Sequence, residues 1–134
     1  MSLANIRTGL QTRLEIISGL RVFDRPPDSI SQLPAAFIVP LRGAYNYAMN
    51  TGIDYDFEVT LFVARAADVA DAQTKLDPYI AREGSKSVYA AIDGDTTLGG
   101  ACSECIVLEF RDYGGLTYGD TLFLGVKFLI RVLG

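Results

Sequence analysis

The sequence predicts a two-layer α+β fold: a mixed or antiparallel sheet of about five strands, covered on one face by two to three helices and bearing an extended hairpin arm. Two stretches predict the sheet. Residues 53–63 read I-D-Y-D-F-E-V-T-L-F-V, with Ile53, Tyr55, Phe57, Val59, Leu61 and Val63 on one parity and Asp54, Asp56, Glu58 and Thr60 on the other. Only Phe62 breaks the second set. Successive side chains of a strand point to opposite faces, so this segment offers one apolar and one acidic face. The end of the chain repeats the pattern, with Leu122, Leu124, Val126, Phe128, Ile130 and Val132 on one face. Helical stripes elsewhere supply the cover, beginning with Leu3, Ile6, Leu10, Leu14 and Ile17, which recur at intervals of three and four.

With 134 residues, residues 1–134 form a single domain, and 49% apolar against 21% charged residues is ample core material. A net charge of -4, with 12 Lys and Arg scattered along the chain, argues against general nucleic-acid binding. The first twenty residues contain Asn5, Arg7, Arg13 and Glu15 and so lack the unbroken apolar core of an export signal. Lys127 and Arg131 interrupt the most apolar stretch, which is too short to cross a bilayer of about 30 Å as a helix. A protein folding in a reducing cytosol, with no membrane partner, is expected.

Helix one covers residues 2–18, with Ser2 as its N-cap and Gly19 just past its end. Gly9 in its middle costs up to ~1 kcal/mol relative to Ala, which a buried face must offset. A short strand at 20–23 stops at Asp24-Arg25-Pro26-Pro27, and a polar loop follows. The run at 35–39 fits a strand, and Pro40 after it implies an edge position or a bulge. Residues 43–52 have turn residues at both ends and Tyr45, Tyr47 and Met49 on one parity, the arm of the predicted fold.

After the central strand, Asp68 caps a helix with Val69, Ala72, Leu76, Tyr79 and Ile80 inward, and Pro78 predicts a kink or a restart. Residues 85–92 form a further short helix with Val88, Ala91 and Ile92 inward. Leu98-Gly99-Gly100 turns the chain into its last two strands, 101–112 and 121–133. Residues 113–120 between them read as a hairpin loop longer than the two-residue kind.

No catalytic constellation emerges. There is no His to act as general base or to complete a Ser or Cys triad. Cys102 and Cys105, three apart on a strand, would point to opposite faces with Cα atoms roughly 10 Å apart, beyond disulfide reach, and read as packing thiols. With no second Cys pair, no metal site is expected. Asp54, Asp56 and Glu58, about 7 Å apart along one strand face, and Asp93 and Asp95 are the carboxylates an acid–base enzyme would have to use. Such a row is more often a solvated face. The glycine pairs lack the context of a phosphate cradle, so no cofactor is expected. Tyr45, Tyr47 and Met49 suit a protein interface, or else fold back onto their own sheet.

The order of elements, the L-G-G phrase at 98–100, and residues 113–120 followed by Thr121-Leu122-Phe123 together resemble tail terminator proteins of long-tailed bacteriophages and prophages. The resemblance implies a structural virion protein, not an enzyme, that needs no cofactor. It implies a homo-oligomeric, hexameric ring at the head-proximal end of the tail, assembled in the host cytoplasm. Such a ring caps the tail tube, ends polymerisation of the tail tube protein and presents a surface to a head-side connector or neck protein. Genome DNA passes through its lumen without sequence-specific binding. Within that frame Tyr45, Tyr47 and Met49 are partner-interface residues, and Asp54, Asp56 and Glu58 line an acidic, DNA-repelling lumen. Another head–tail joining protein shares these features, and a small carboxylate-using enzyme is the reading from a different class.

Overall fold

The structure is a computed structural model that describes residues 3–45, 53–65 and 69–133. Its elements run α1 (Leu3–Leu14), β1 (Arg21–Phe23), β2 (Ala35–Tyr45), β3 (Ile53–Arg65), α2 (Val69–Ile80), α3 (Val88–Asp93), a 3-10 turn (Leu98–Gly100), β4 (Glu104–Tyr118) and β5 (Thr121–Leu133). The five strands form one mixed sheet in the order β1-β2-β3-β5-β4, the α+β architecture that the periodicities predict. Only β1 and β2 run parallel; every other pair is antiparallel.

The main core lies between the sheet and the helices. From α1 come Ile6 and Leu10, joined by Leu14 and Ile17; Leu76 and Tyr79 come from α2, and Val88, Ala91 and Ile92 from α3. They bury Phe57, Val59, Leu61 and Val63 of β3 and Val126, Phe128, Ile130 and Val132 of β5. Each such side chain contributes about 1.5–3 kcal/mol by leaving water. Leu122, at the turn end of β5, departs from its strand's pattern and is exposed.

Phe62, which interrupts the alternation of β3, belongs to a second, smaller cluster on the opposite face, with Ile30, Ala35, Phe37 and Phe123. Its ring stacks on Phe123 at 4.7 Å and lies 6.0 Å from Tyr118. The loop between β1 and β2 closes over this cluster, where the Tyr118 hydroxyl donates to the Pro27 carbonyl. At this end, then, the sheet is covered on both faces, and Phe62 has somewhere to go. A close approach holds the two strands together here: a Cβ on Gly125 would stand 2.2 Å from the Leu61 carbonyl oxygen.

Several local expectations change. The register of β2 on β3 shifts between Pro40 and Arg42, so Pro40 marks a bulge in a strand that has neighbours on both sides as far as Phe37. Helix α2 runs through Pro78 to Ile80 without a restart. Proline so near the helix end removes only a last-turn hydrogen bond. Helix α3 begins at Val88 because Ser87 caps it, its hydroxyl oxygen accepting the Ala90 amide at 3.0 Å. The last hairpin is tighter than predicted. Tyr118 pairs with Thr121 around Gly119-Asp120, with Gly119 at φ 61°, which glycine adopts without a Cβ clash. The extra length of residues 113–120 is taken up inside the strand, where the register shifts between Arg111 and Gly114. The caps assigned to Ser2 and Asp68 lie outside the described residues.

Candidate functional site

The sheet face away from the helices carries the carboxylate row, and neighbouring strands answer it with cations. Asp56 stands between Arg42 of β2 and Arg131 of β5, both in register with it. Arg131 Nε donates to Asp56 Oδ1 at 3.0 Å and Arg42 Nη1 to Oδ2 at 3.4 Å. One step along, Arg111 Nη2 donates to Glu58 Oε2 at 2.8 Å, while Lys127 Nζ lies 3.6 Å from Oε1. The ion pair with Glu58 raises the pKa of Arg111 further, and that with Asp56 does the same for Arg131. Asp54 lies opposite Ala44, near the arm.

Asp54, Asp56 and Glu58 share a face, and two of the three, Asp56 and Glu58, each lie between two cations. The face is an ion-pair lattice rather than an acidic wall. Seen along one strand, the acids look alone because their partners come from strands distant in sequence.

Tyr45 closes the described part of β2, paired with Ile53 and 79% exposed. Tyr47 and Met49 lie outside the described residues.

Asp95, one of the carboxylates available for acid–base work, serves the turn instead. Its oxygens accept from the Thr97 hydroxyl at 3.0 Å and the Gly99 amide at 2.9 Å. The Thr97 hydroxyl is the first cause that holds its pKa below the usual carboxylate value. Cys102 and Cys105 are closer than strand parity predicts. Cys102 lies in the turn before β4, where alternation does not apply; its thiol donates to the Thr96 carbonyl at 3.6 Å, and both free thiols enter the main core. Burial raises both pKa values, that of Cys105 to about 12, the opposite of an activated nucleophile. Among the described residues no group of three or more His, Cys, Asp or Glu could hold a metal ion.

The feature that the sequence reading missed is the outer edge of β4. It is the last strand of the sheet, and among the described residues nothing pairs with its far side. Ile106, Leu108 and Phe110 are all exposed there. Leu108 is the extra residue where the register shifts between Val107 and Glu109. With Val107 and Phe110 it lines a cleft of about 370 Å³, closed on the helix side by Ile80, Arg82 and Tyr89. A signal was present. Ile106-Val107-Leu108 is an unbroken apolar run in a strand whose neighbours alternate, so it cannot all be covered by one layer of helices. An edge this long and apolar is a template for pairing with another chain unless something covers it.

No helix among the described residues is long and apolar enough to cross a membrane. No protein-family profile and no curated protein sequence matches the chain.

Proposed function

We propose that this chain is a structural subunit that works by assembling with copies of itself, and specifically a tail terminator of a long-tailed phage or prophage. In this reading it forms a hexameric ring on the head-proximal end of the tail tube, stops addition of tube subunits and offers its other surface to a head-side neck protein. The observation that carries the assembly half is the uncovered β4 edge. A lone chain would leave Ile106, Leu108 and Phe110 in water beside unpaired backbone. The tail half rests on the order of elements and on the L-G-G and closing-hairpin phrases.

The charge lattice modifies the reading. A lumen that repels DNA needs a net negative field, and Asp56 and Glu58 are each neutralised by paired cations. The ring is therefore proposed without assigning its lumen to these residues.

Native mass measurement and negative-stain microscopy test the proposal. A mass that is a closed multiple of 14.6 kDa and ring-shaped particles, together with tubes of defined length when tail tube subunits polymerise in its presence, are expected. Tubes that grow to the same lengths with and without the protein would end the terminator assignment.

A further inference from the structure

We infer that the free protein pairs with a second copy of itself through the outer edge of β4, the two strands running antiparallel about a two-fold axis at Phe110. This goes beyond the ring reading above, because it concerns the chain before it meets a tube, when no other subunit is present to cover the edge. The open stretch of that edge has a definite start. The Cys105 amide donates outward to the Thr96 carbonyl at 2.7 Å, so the turn before β4 already covers the edge there. From Val107 onward no such contact exists among the described residues, and Leu108, Phe110 and Tyr113 are exposed. A two-fold contact needs one surface that is complementary to itself.

Residues 107–113 have that property. With Phe110 on the axis, Glu109 of each copy lies opposite Arg111 of the other, and Val107 opposite Tyr113. The two irregular positions, Leu108 and Asp112, where the register on β5 shifts, fall opposite each other. Faces agree across the regular pairs. Val107 and Phe110 are opposite the buried Ile130 and Phe128 and so lie on the helix side, as does Tyr113, whose hydroxyl bonds to Asp77 of α2. Glu109 and Arg111 are opposite Leu129 and Lys127, on the other face. Arg111 gives one N–H to Glu58, and a guanidinium has five, so it can hold a second carboxylate. Neighbouring registers fail. A slip of one residue sets the helix side of one strand against the outer face of the other. A slip of two sets Glu109 on Glu109 or Arg111 on Arg111, and like charges across a strand pair are unfavourable. The favoured register also brings the two clefts of about 370 Å³ together, with the Phe110 rings covering each other at the axis.

Charge reversal tests the register. The parent should sediment as a dimer, at twice 14.6 kDa. Glu109→Lys sets two cations against each other and Arg111→Glu two carboxylates, so each variant alone should dimerise about tenfold more weakly, or worse. Mixed in equal amounts, the two should regain the parent's affinity as a heterodimer. The new lysine of one then faces the new glutamate of the other, and the second pair is the native one. That rescue also shows both variants to be folded. Phe110→Cys, with no charge changed, should give covalent dimers under mild oxidation that collapse on reduction; the native thiols are buried, which keeps their background low. Variants that dimerise as the parent does, or folded variants whose mixture is no stronger than its components, would overturn the pairing, as would Phe110→Cys that never cross-links. A parent that is monomeric at every concentration yet ends tubes at a defined length would overturn the dimer and leave the ring reading standing. Dimers in this register from a protein without effect on tube length would do the reverse.

Discussion

Gly9 of α1 lies so close to Leu98 that a Cβ built on it would stand 2.8 Å from the Leu98 Cβ and 3.2 Å from its carbonyl oxygen. This contact seats the first helix against the turn that launches the last two strands. The turn is tightly bent: Leu98, Gly99 and Gly100 all have positive φ, at 51°, 71° and 95°. The ordinary rule for a helix interior says that Gly9→Ala should stabilise by up to ~1 kcal/mol. Here overpacking of about 1–3 kcal/mol opposes it, because the nearest atoms are a Cβ and a backbone carbonyl rather than a flexible tip. The variant should therefore be less stable than the parent, seen in urea unfolding as a lower midpoint at an unchanged slope.

Gly125 gives a second test with the same logic in the sheet. Its missing Cβ leaves room for the Leu61 carbonyl and the Phe62 ring, 2.2 Å and 2.7 Å from where that carbon would be. Because the first contact is backbone, Gly125→Ala must part β3 from β5 or displace Phe62 from its stack on Phe123. A loss of about 2 kcal/mol or more is expected. Phe62→Ala, which opens a cavity in the same small cluster, should cost about 3–5 kcal/mol. An unchanged midpoint for Gly125→Ala would mean that the strands have slack at this point.

The asymmetry between these two glycines and the rest of the chain shows what the sequence could disclose. Alternation over residues 53–63 was legible because burial on one face repeats with the period of the strand. The break at Phe62 was visible, but its cause was not, since the covering loop and Tyr118 are remote in sequence. The same remoteness hid the cations around Asp56 and Glu58. The placement of Cys102 and Cys105 escapes strand parity for another reason: alternation starts only where β4 begins, at Glu104, and Cys102 precedes it. Edge position is legible only in part, through the unbroken apolar run Ile106-Val107-Leu108. Periodicity says which face of a strand is buried, but whether a neighbour lies alongside depends on topology.

The ion-pair lattice should contribute modestly. Arg111 and Glu58 are the best-aligned pair at 2.8 Å, but the arginine side chain is 41% exposed, so solvent screening reduces its worth. A double-mutant cycle with Glu58→Gln and Arg111→Gln should give a coupling of about 0.5–1 kcal/mol that shrinks in about 1 M salt. Coupling that is insensitive to salt would show the pair to be better shielded than its exposure implies. Arg131→Gln should cost little more, because Arg42 still holds Asp56.

Acid exposes the contribution of Asp95. Its folded pKa lies below the unfolded value, so its stabilisation is complete above the unfolded carboxylate range and is lost as pH falls through the folded pKa. Asp95→Asn, which keeps the shape but weakens the acceptance from Thr97 and Gly99, should flatten the acid limb of the stability curve. An acid limb identical to the parent's would place that dependence elsewhere.

Alkali tests the buried thiols. The Cys105 pKa is raised to about 12, first by burial and then by the neighbouring Cys102 sulfur, whereas in the unfolded chain a thiol ionises near ~8.5. Between those values the unfolded state gives up its proton and the folded state keeps it, so stability must fall as pH rises, at up to ~1.4 kcal/mol per pH unit for this group. Burial raises the pKa of the Tyr79 phenol in the same sense, extending the loss above pH ~10. Cys105→Ala removes the titrating group. It should lower stability at neutral pH through lost packing, yet make the decline from pH ~9 upward shallower than in the parent. The measurement is chemical denaturation at a series of pH values. Parallel alkaline limbs for variant and parent would show that the thiol ionises in the folded protein as readily as in the unfolded chain, which its burial beside Cys102 argues against.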